Sequence, residues 1–166
     1  IGEIDDGWKE LKTRFIELFK DDLPYEITPI PYVDNNLKTK KNKDLVSVII
    51  PSKNNLNFIN NCIQSIIKFT KHEQYEIFIA DTGSDESILN KLEELESSND
   101  KIKIIKYDYY HFGKINNDVA KNHAKGKYLL FCNDDIVFQN DVISKMVEIT
   151  KDNNDCGTIG ARLHYP

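Results

Sequence analysis

Three short polar stretches carry the side chains best able to do chemistry: Pro51-Ser52-Lys53-Asn54, Asp81-Thr82-Gly83-Ser84-Asp85 and Asn133-Asp134-Asp135. Each follows an apolar run, Leu45 to Ile50, Tyr75 to Ala80 and Tyr128 to Cys132. Short runs rich in Val, Ile and aromatic residues predict strands. In an open parallel sheet, ligands bind outside the carboxyl ends of the strands, so these acids are predicted to gather at one sheet edge. Carboxylates beside a phosphate repel it unless a hard cation, Mg2+ or Mn2+, bridges them through oxygen ligands. A metal-bound diphosphate is the simplest ligand that fits such a cluster.

The elements that must position these stretches alternate regularly. A further apolar run, Ile102 to Ile105, and segments of helical period complete a series of βα units. Ile59, Cys62, Ile63, Ile66 and Ile67 recur at i, i+3, i+4, i+7 and i+8, which predicts a helix with all five on one face. Ile88, Leu89, Leu92 and Leu95 repeat the pattern, as do Val142, Ile143, Met146 and Val147. Uniformly apolar strands alternating with amphipathic helices predict an α/β fold, an open and mostly parallel sheet with helices on both faces. Ahead of it, Trp8, Leu11, Phe15, Leu18 and Phe19 predict an amphipathic N-terminal helix. Pro24, Pro29 and Pro31, then Lys38, Lys40, Lys41 and Lys43, predict a connector, either a solvated linker or a peripheral contact with anionic lipid. The domain reading is 1–44 for helix and connector and 45–166 for the α/β unit.

Composition narrows the function. The chain has 166 residues, 40% hydrophobic and 30% charged, as expected of one globular body rather than a disordered segment. With 27 acidic against 22 basic side chains its net charge is -5, which opposes a nucleic-acid backbone. No apolar stretch approaches the ~20 residues that cross a bilayer. The opening Ile1 to Lys12 lacks the layout of a secretory signal, and the missing initial Met predicts an excised or processed chain. Cys62, Cys132 and Cys156 are odd in number and far apart, and no Asn-X-Ser/Thr occurs, so reduced thiols in the cytoplasm are expected. G-x-G-x-x-G, the P-loop, G-x-S-x-G, C-x-x-C and H-E-x-x-H are all absent.

Taken in order, Val46 to Pro51, Ile79 to Asp85 and Ala124 to Asp135 resemble family-two glycosyltransferases of the GT-A fold. Phe112-Gly113-Lys114-Ile115-Asn116-Asn117 and the closing Ile159 to Pro166 resemble the branch that builds bacterial surface polysaccharides. The likeness covers Leu45 to Pro166 and implies transfer of a sugar from a nucleotide-diphosphate donor, a UDP-sugar by preference, to a saccharide acceptor hydroxyl, with inversion. By position, Pro51 and Ser52 would shape the nucleotide pocket, Asp81 would meet the base, and Asp134 would lie near the ribose. Asp135 would take the metal-ligand place of the D-x-D motif, with Mn2+ or Mg2+ as cofactor, and Asn116 or Asn117 would touch the donor. Asn133 stands where the first Asp of that motif is usual, and Thr82 where a second acid or Asn is usual. The resemblance implies a base beyond Pro166, leaving 45–166 as a donor half that works at the inner face of the membrane. Were the chain to transfer sugar alone, Asp108, His111 and Asp118 would be the first bases to test.

Plainer roles stand beside these. Asp81 and Ser84 fit a turn that starts a helix near Glu86, Asn133-Asp134-Asp135 fits a helix start, and Asn116 and Asn117 fit an exposed helix surface. The rival enzyme class is a sugar-nucleotide pyrophosphorylase, whose Gly-rich loop after the first strand is missing here; the non-enzyme rival is a nucleotide-binding module without turnover.

Overall fold

The computed structural model describes residues 42–153 and 155–163. The expected N-terminal helix, most of the connector and the closing His164 to Pro166 lie outside them. Strands β1 (Asn42–Ser52), β2 (Tyr75–Asp81), β3 (Ile102–Lys106) and β4 (Gly126–Phe131) form one sheet in the order β3-β2-β1-β4, with every pairing parallel. Helices α1 (Leu56–Phe69), α2 (Glu86–Ser98), α3 (Phe112–Asp118) and α4 (Val142–Asp152) connect or follow them, and a π turn over Val119–His123 extends α3. The mixed α/β architecture with a parallel sheet is as the sequence predicts.

Period-two side chains divide the sheet into two apolar faces. Val46, Val48 and Ile50 of β1 and Ile77 and Ile79 of β2 face α1, α2 and α4 through Ile59, Ile63, Ile66, Leu92, Ile143 and Val147. Ile49, Phe78 and Ala80 face the other way, against Ile115 of α3 and Val119 of the π turn. Right-handed crossovers account for this division: β1 to β2 to β3 steps one way across the sheet, whereas β3 to β4 steps back and carries α3 to the opposite face. Burying each Ile of the α1 face contributes roughly 1.5–3 kcal/mol.

One predicted face is narrower than expected. Ile67 is 37% exposed while Ile59, Cys62, Ile63 and Ile66 are 1% exposed or less. At 100° per residue, Ile67 sits about 80° around the helix from Ile59, at the margin of the stripe. Among the described residues, no helix is long and apolar enough to cross a membrane.

Candidate functional site

The strand order reverses between β1 and β4, and that is where the polar strand ends meet. Pro51 and Ser52 are buried at the end of β1, and Ser52 is in register with Asp81. The Ser52 hydroxyl donates to Asp134 Oδ2 at 2.7 Å, and Asn55 Nδ2 donates to the same oxygen at 3.1 Å. Asn55 stands at the N-cap of α1, yet its side chain makes no cap bond to the helix. A helix start forgoes about 1 kcal/mol in this way, and the side chain is turned with its NH2 toward Asp134 instead.

A second set of bonds fixes the turn after β2. Asp81 is 3% exposed, and its Oδ2 accepts the backbone N–H groups of Gly83 and Ser84, both at 3.2 Å. Its other oxygen, Oδ1, is buried without a hydrogen-bond partner. Gly83 has φ 94°, a backbone region open chiefly to glycine. The Ser52 carbonyl accepts from Thr82 N at 3.0 Å, and the Asp81 carbonyl accepts from Tyr107 N at 2.8 Å. Asn54, with φ 56°, ties this turn to the first: its N–H donates to Ser84 Oγ at 2.8 Å and its Oδ1 accepts from Asp85 N at 2.7 Å.

Helix α1 also holds the turn after β4. Ser65 Oγ donates to the Cys62 carbonyl at 2.7 Å and accepts from Phe138 N at 2.9 Å. Asp141 caps α4 by accepting from Ser144 N at 3.3 Å and takes Lys71 N of the α1 side at 3.2 Å. Asn133-Asp134-Asp135 is therefore not a helix start, because α4 begins at Val142. Asp134 is half-buried, while Asn133 and Asp135 are exposed, and among the described residues no hydrogen bond or ion pair engages the Asp135 carboxylate.

Among the described residues, no group of three or more His, Cys, Asp or Glu could hold a metal alone. Mg2+ and Mn2+ do not require one: hard cations of this kind are held by one or two carboxylates together with substrate phosphates. The unengaged Asp135 beside Asp134 fits that pattern. The negative field of the pair reaches Cys62, whose thiol is pushed up first by its hydrogen bond with Cys132, then by burial and the Cys132 charge, and further by Asp134 and Asp135.

The third connection forms a separate lock. Tyr107 donates its hydroxyl to Asp118 Oδ2 at 2.7 Å, and Asn122 Nδ2 donates to Asp118 Oδ1 at 2.7 Å. The Tyr107 bond is the largest influence holding the Asp118 carboxyl below its ordinary range, against its partial burial. Tyr107 is pushed up by burial first and then by Asp118. His111 Nδ1 caps α3 by accepting from Lys114 N at 3.2 Å, and the Lys114 ammonium lies 4.6 Å from the Tyr109 ring centre. Asp118 and His111 thus have structural partners, while Asp108 is exposed.

The structure thus brings Ser52, Asp134 and Asn55 into contact and joins Asp81 to Ser52 through Thr82. Asn116 and Asn117 are not hydrogen-bonded to that group. Asn116 is 4% exposed, donating from Nδ2 to the Phe112 carbonyl at 2.9 Å with Oδ1 unpartnered, and Asn117 is exposed. Sequence reasoning placed Asn54 in the polar stretch after β1 without a role, and missed Asn55 and Ser65. The adjacent asparagines after a strand were a signal for a left-handed turn, but a serine on a helix face gave none.

Residues 47–166 match the family model for glycosyl transferase family 2, and the chain belongs to that family. It is similar to a poly(ribitol-phosphate) beta-glucosyltransferase of Bacillus spizizenii, 28% identical over 69% of this chain and 18% of the relative. Its fold is similar to S. aureus TarS 1-349 in complex with UDP, with a TM-score of 0.55 and 23% identity over 66% of this chain and 33% of that one. It is also similar to a mannosyltransferase from Pyrobaculum calidifontis in complex with GDP-Man and Mn2+, with a TM-score of 0.55 and 14% identity over 85% and 39% of the two chains. The chain spans 17% to 42% of the length of the curated relatives it matches.

Proposed function

We propose that these residues form the donor-binding part of an enzyme that moves a sugar from a nucleotide-diphosphate donor, a UDP-sugar by preference, to a saccharide acceptor hydroxyl with inversion. One observation carries this reading: Asp81 keeps one oxygen in a turn and the other buried and unpartnered at the ligand edge of the sheet. An orphaned buried acceptor costs about 1–3 kcal/mol until it receives a donor, and an imide N–H of a uracil base supplies one. Membership in the family and the UDP and Mn2+ held by the fold's neighbours support the same choice. The poly(ribitol-phosphate) relative favours a surface polysaccharide or glycoconjugate as product.

In this reading Pro51 and Ser52 wall the nucleotide, and Asp134, fixed by Ser52 and Asn55, accepts from a ribose hydroxyl. Asp135 would hold Mn2+ or Mg2+, which when bound supplies a Lewis acid for the charge on the departing diphosphate. Asn116 or Asn117 is assigned to the donor on the strength of the motif alone. Inversion requires a base that takes the acceptor proton opposite the leaving group, and we assign that role to none of the described residues. The domain boundary is proposed at 44/45, with β1 starting slightly ahead of it at Asn42. A cytoplasmic location is supported by the free thiols at Cys62, Cys132 and Cys156, and the inner membrane face is assigned from the family likeness alone. A product assay with labelled sugar nucleotides and a panel of saccharide acceptors tests the reading: this chain should bind donor and transfer no sugar, with at most slow donor hydrolysis. Strong transfer by residues 1–166 alone would overturn the assignment of the base.

A further inference from the structure

Cys62 on α1 and Cys132, immediately after β4, bring their sulfurs to 4.0 Å behind the Asn133-Asp134-Asp135 turn. Cys62 is fully buried and Cys132 is 8% exposed, so Cys132 is the outer thiol. Both S–H groups approach one acceptor, the Asn133 carbonyl, at 3.8 Å from Cys62 and 3.3 Å from Cys132. A lone buried thiol behaves as a small hydrophobe, whereas two in contact can give up two electrons together.

We propose that Cys62 and Cys132 form an oxidation site at which hydrogen peroxide makes a disulfide, removing both donors from the Asn133 carbonyl and loosening the acidic turn. Peroxide is small enough to reach a thiol with so little exposure. The Cys132 thiolate attacks one peroxide oxygen; the O–O bond breaks, Cys132 becomes a sulfenic acid, and the departing hydroxide takes a proton to leave as water. The Cys62 sulfur then attacks the Cys132 sulfur. The S–S bond forms, the S–O bond breaks, and the released hydroxide takes the Cys62 proton as a second water. Two thiol protons and two electrons have passed to one peroxide. The order rests on access: Cys132 is the thiol that peroxide reaches first, and Cys62, buried 4.0 Å behind it, meets the sulfenic acid and gives up its proton as the S–S bond forms.

Loosening of the turn stands on this geometry alone, while any consequence for donor binding rests on the function proposed above. The test treats the protein with hydrogen peroxide and maps its cysteines by mass spectrometry, using the parent, Cys156→Ser and Cys62→Ala. A Cys62–Cys132 crosslinked peptide is expected in the parent and in Cys156→Ser, reversible by dithiothreitol and absent from Cys62→Ala. Amide hydrogen exchange over residues 133–138 should rise about tenfold on oxidation in the first two proteins and stay at its reduced rate in the third. Recovery of Cys62 and Cys132 as free thiols while Cys156 is oxidised overturns the proposal, as does a crosslink that leaves exchange unchanged. UDP affinity with and without Mn2+, measured on the same samples, judges the donor site separately: no binding by reduced protein in either condition removes that reading and leaves the crosslink and exchange to decide the oxidation site.

Discussion

The Ser52 hydroxyl meets Asp134 Oδ2 at 2.7 Å across the point where the strand order reverses, linking the end of β1 to the turn after β4. This bond and that from Asn55 hold Oδ2, and no protein donor among the described residues engages Oδ1. Ser52→Ala should therefore weaken UDP binding by about 1 kcal/mol, roughly fivefold. Calorimetry on the parent and the variant measures it, and equal affinities would detach Asp134 from the donor.

Asp81 and Asp135 should separate by their dependence on metal. Asp81→Ala leaves a base N–H unpaired and should cost about 1–3 kcal/mol with or without Mn2+. Asp135→Ala should abolish only the increment that Mn2+ adds. A matched set of titrations reads both, and two variants that bind like the parent would reduce these acids to turn formers.

Much of this arrangement is legible in residue order, and the remainder depends on which strands become neighbours. The polarity breaks after Ile50, Ala80 and Cys132 mark the strand ends and predict an acidic edge. Contact between Ser52 and Asp134 needs β4 beside β1, which no local pattern encodes. The same strand order, with right-handed crossovers, decides that α3 and the π turn lie on the face opposite the other described helices. Asp81 combines two readings the sequence leaves open, since one oxygen builds a turn and the other stays unpartnered. The requirement for glycine at position 126 comes from packing that no local pattern encodes: a Cβ there would lie 2.6 Å from the Leu45 carbonyl and 2.8 Å from Ser47 N.

That close approach makes Gly126→Ala a stability test of the β1–β4 pairing. Backbone atoms would have to part to admit the methyl group, a cost of about 1–3 kcal/mol for overpacking. Urea unfolding should show this loss. An unchanged midpoint would mean that β4 lies further from β1 than described.

Ser65→Ala should also destabilise, by about 1–3 kcal/mol, because it leaves the buried Phe138 N–H without an acceptor. The same denaturant curve reports it. Retention of full stability would mean that Ser65 does not hold the loop between Asp135 and α4.

The Tyr107–Asp118 bond predicts a pH window. Asp118 is depressed in the folded state, so its contribution is present above its ordinary value of about 4 and is lost as pH falls through the lower folded value. Tyr107 is raised, so its contribution is present below about 10 and is lost as pH climbs through the higher folded value. Tyr107→Phe should lower stability near neutral pH and flatten its fall in acid, as followed by thermal melts across pH. Parallel parent and variant profiles would exclude the bond as a stabilising element.

The most direct measurement is a calorimetric titration of the protein with UDP, in Mn2+ and again after chelation. A donor site built on Asp81, Asp134 and Asp135 predicts binding in both conditions with clearly higher affinity in Mn2+. No binding in either condition would contradict the donor site itself, and equal affinity in the two would contradict the metal role of Asp135.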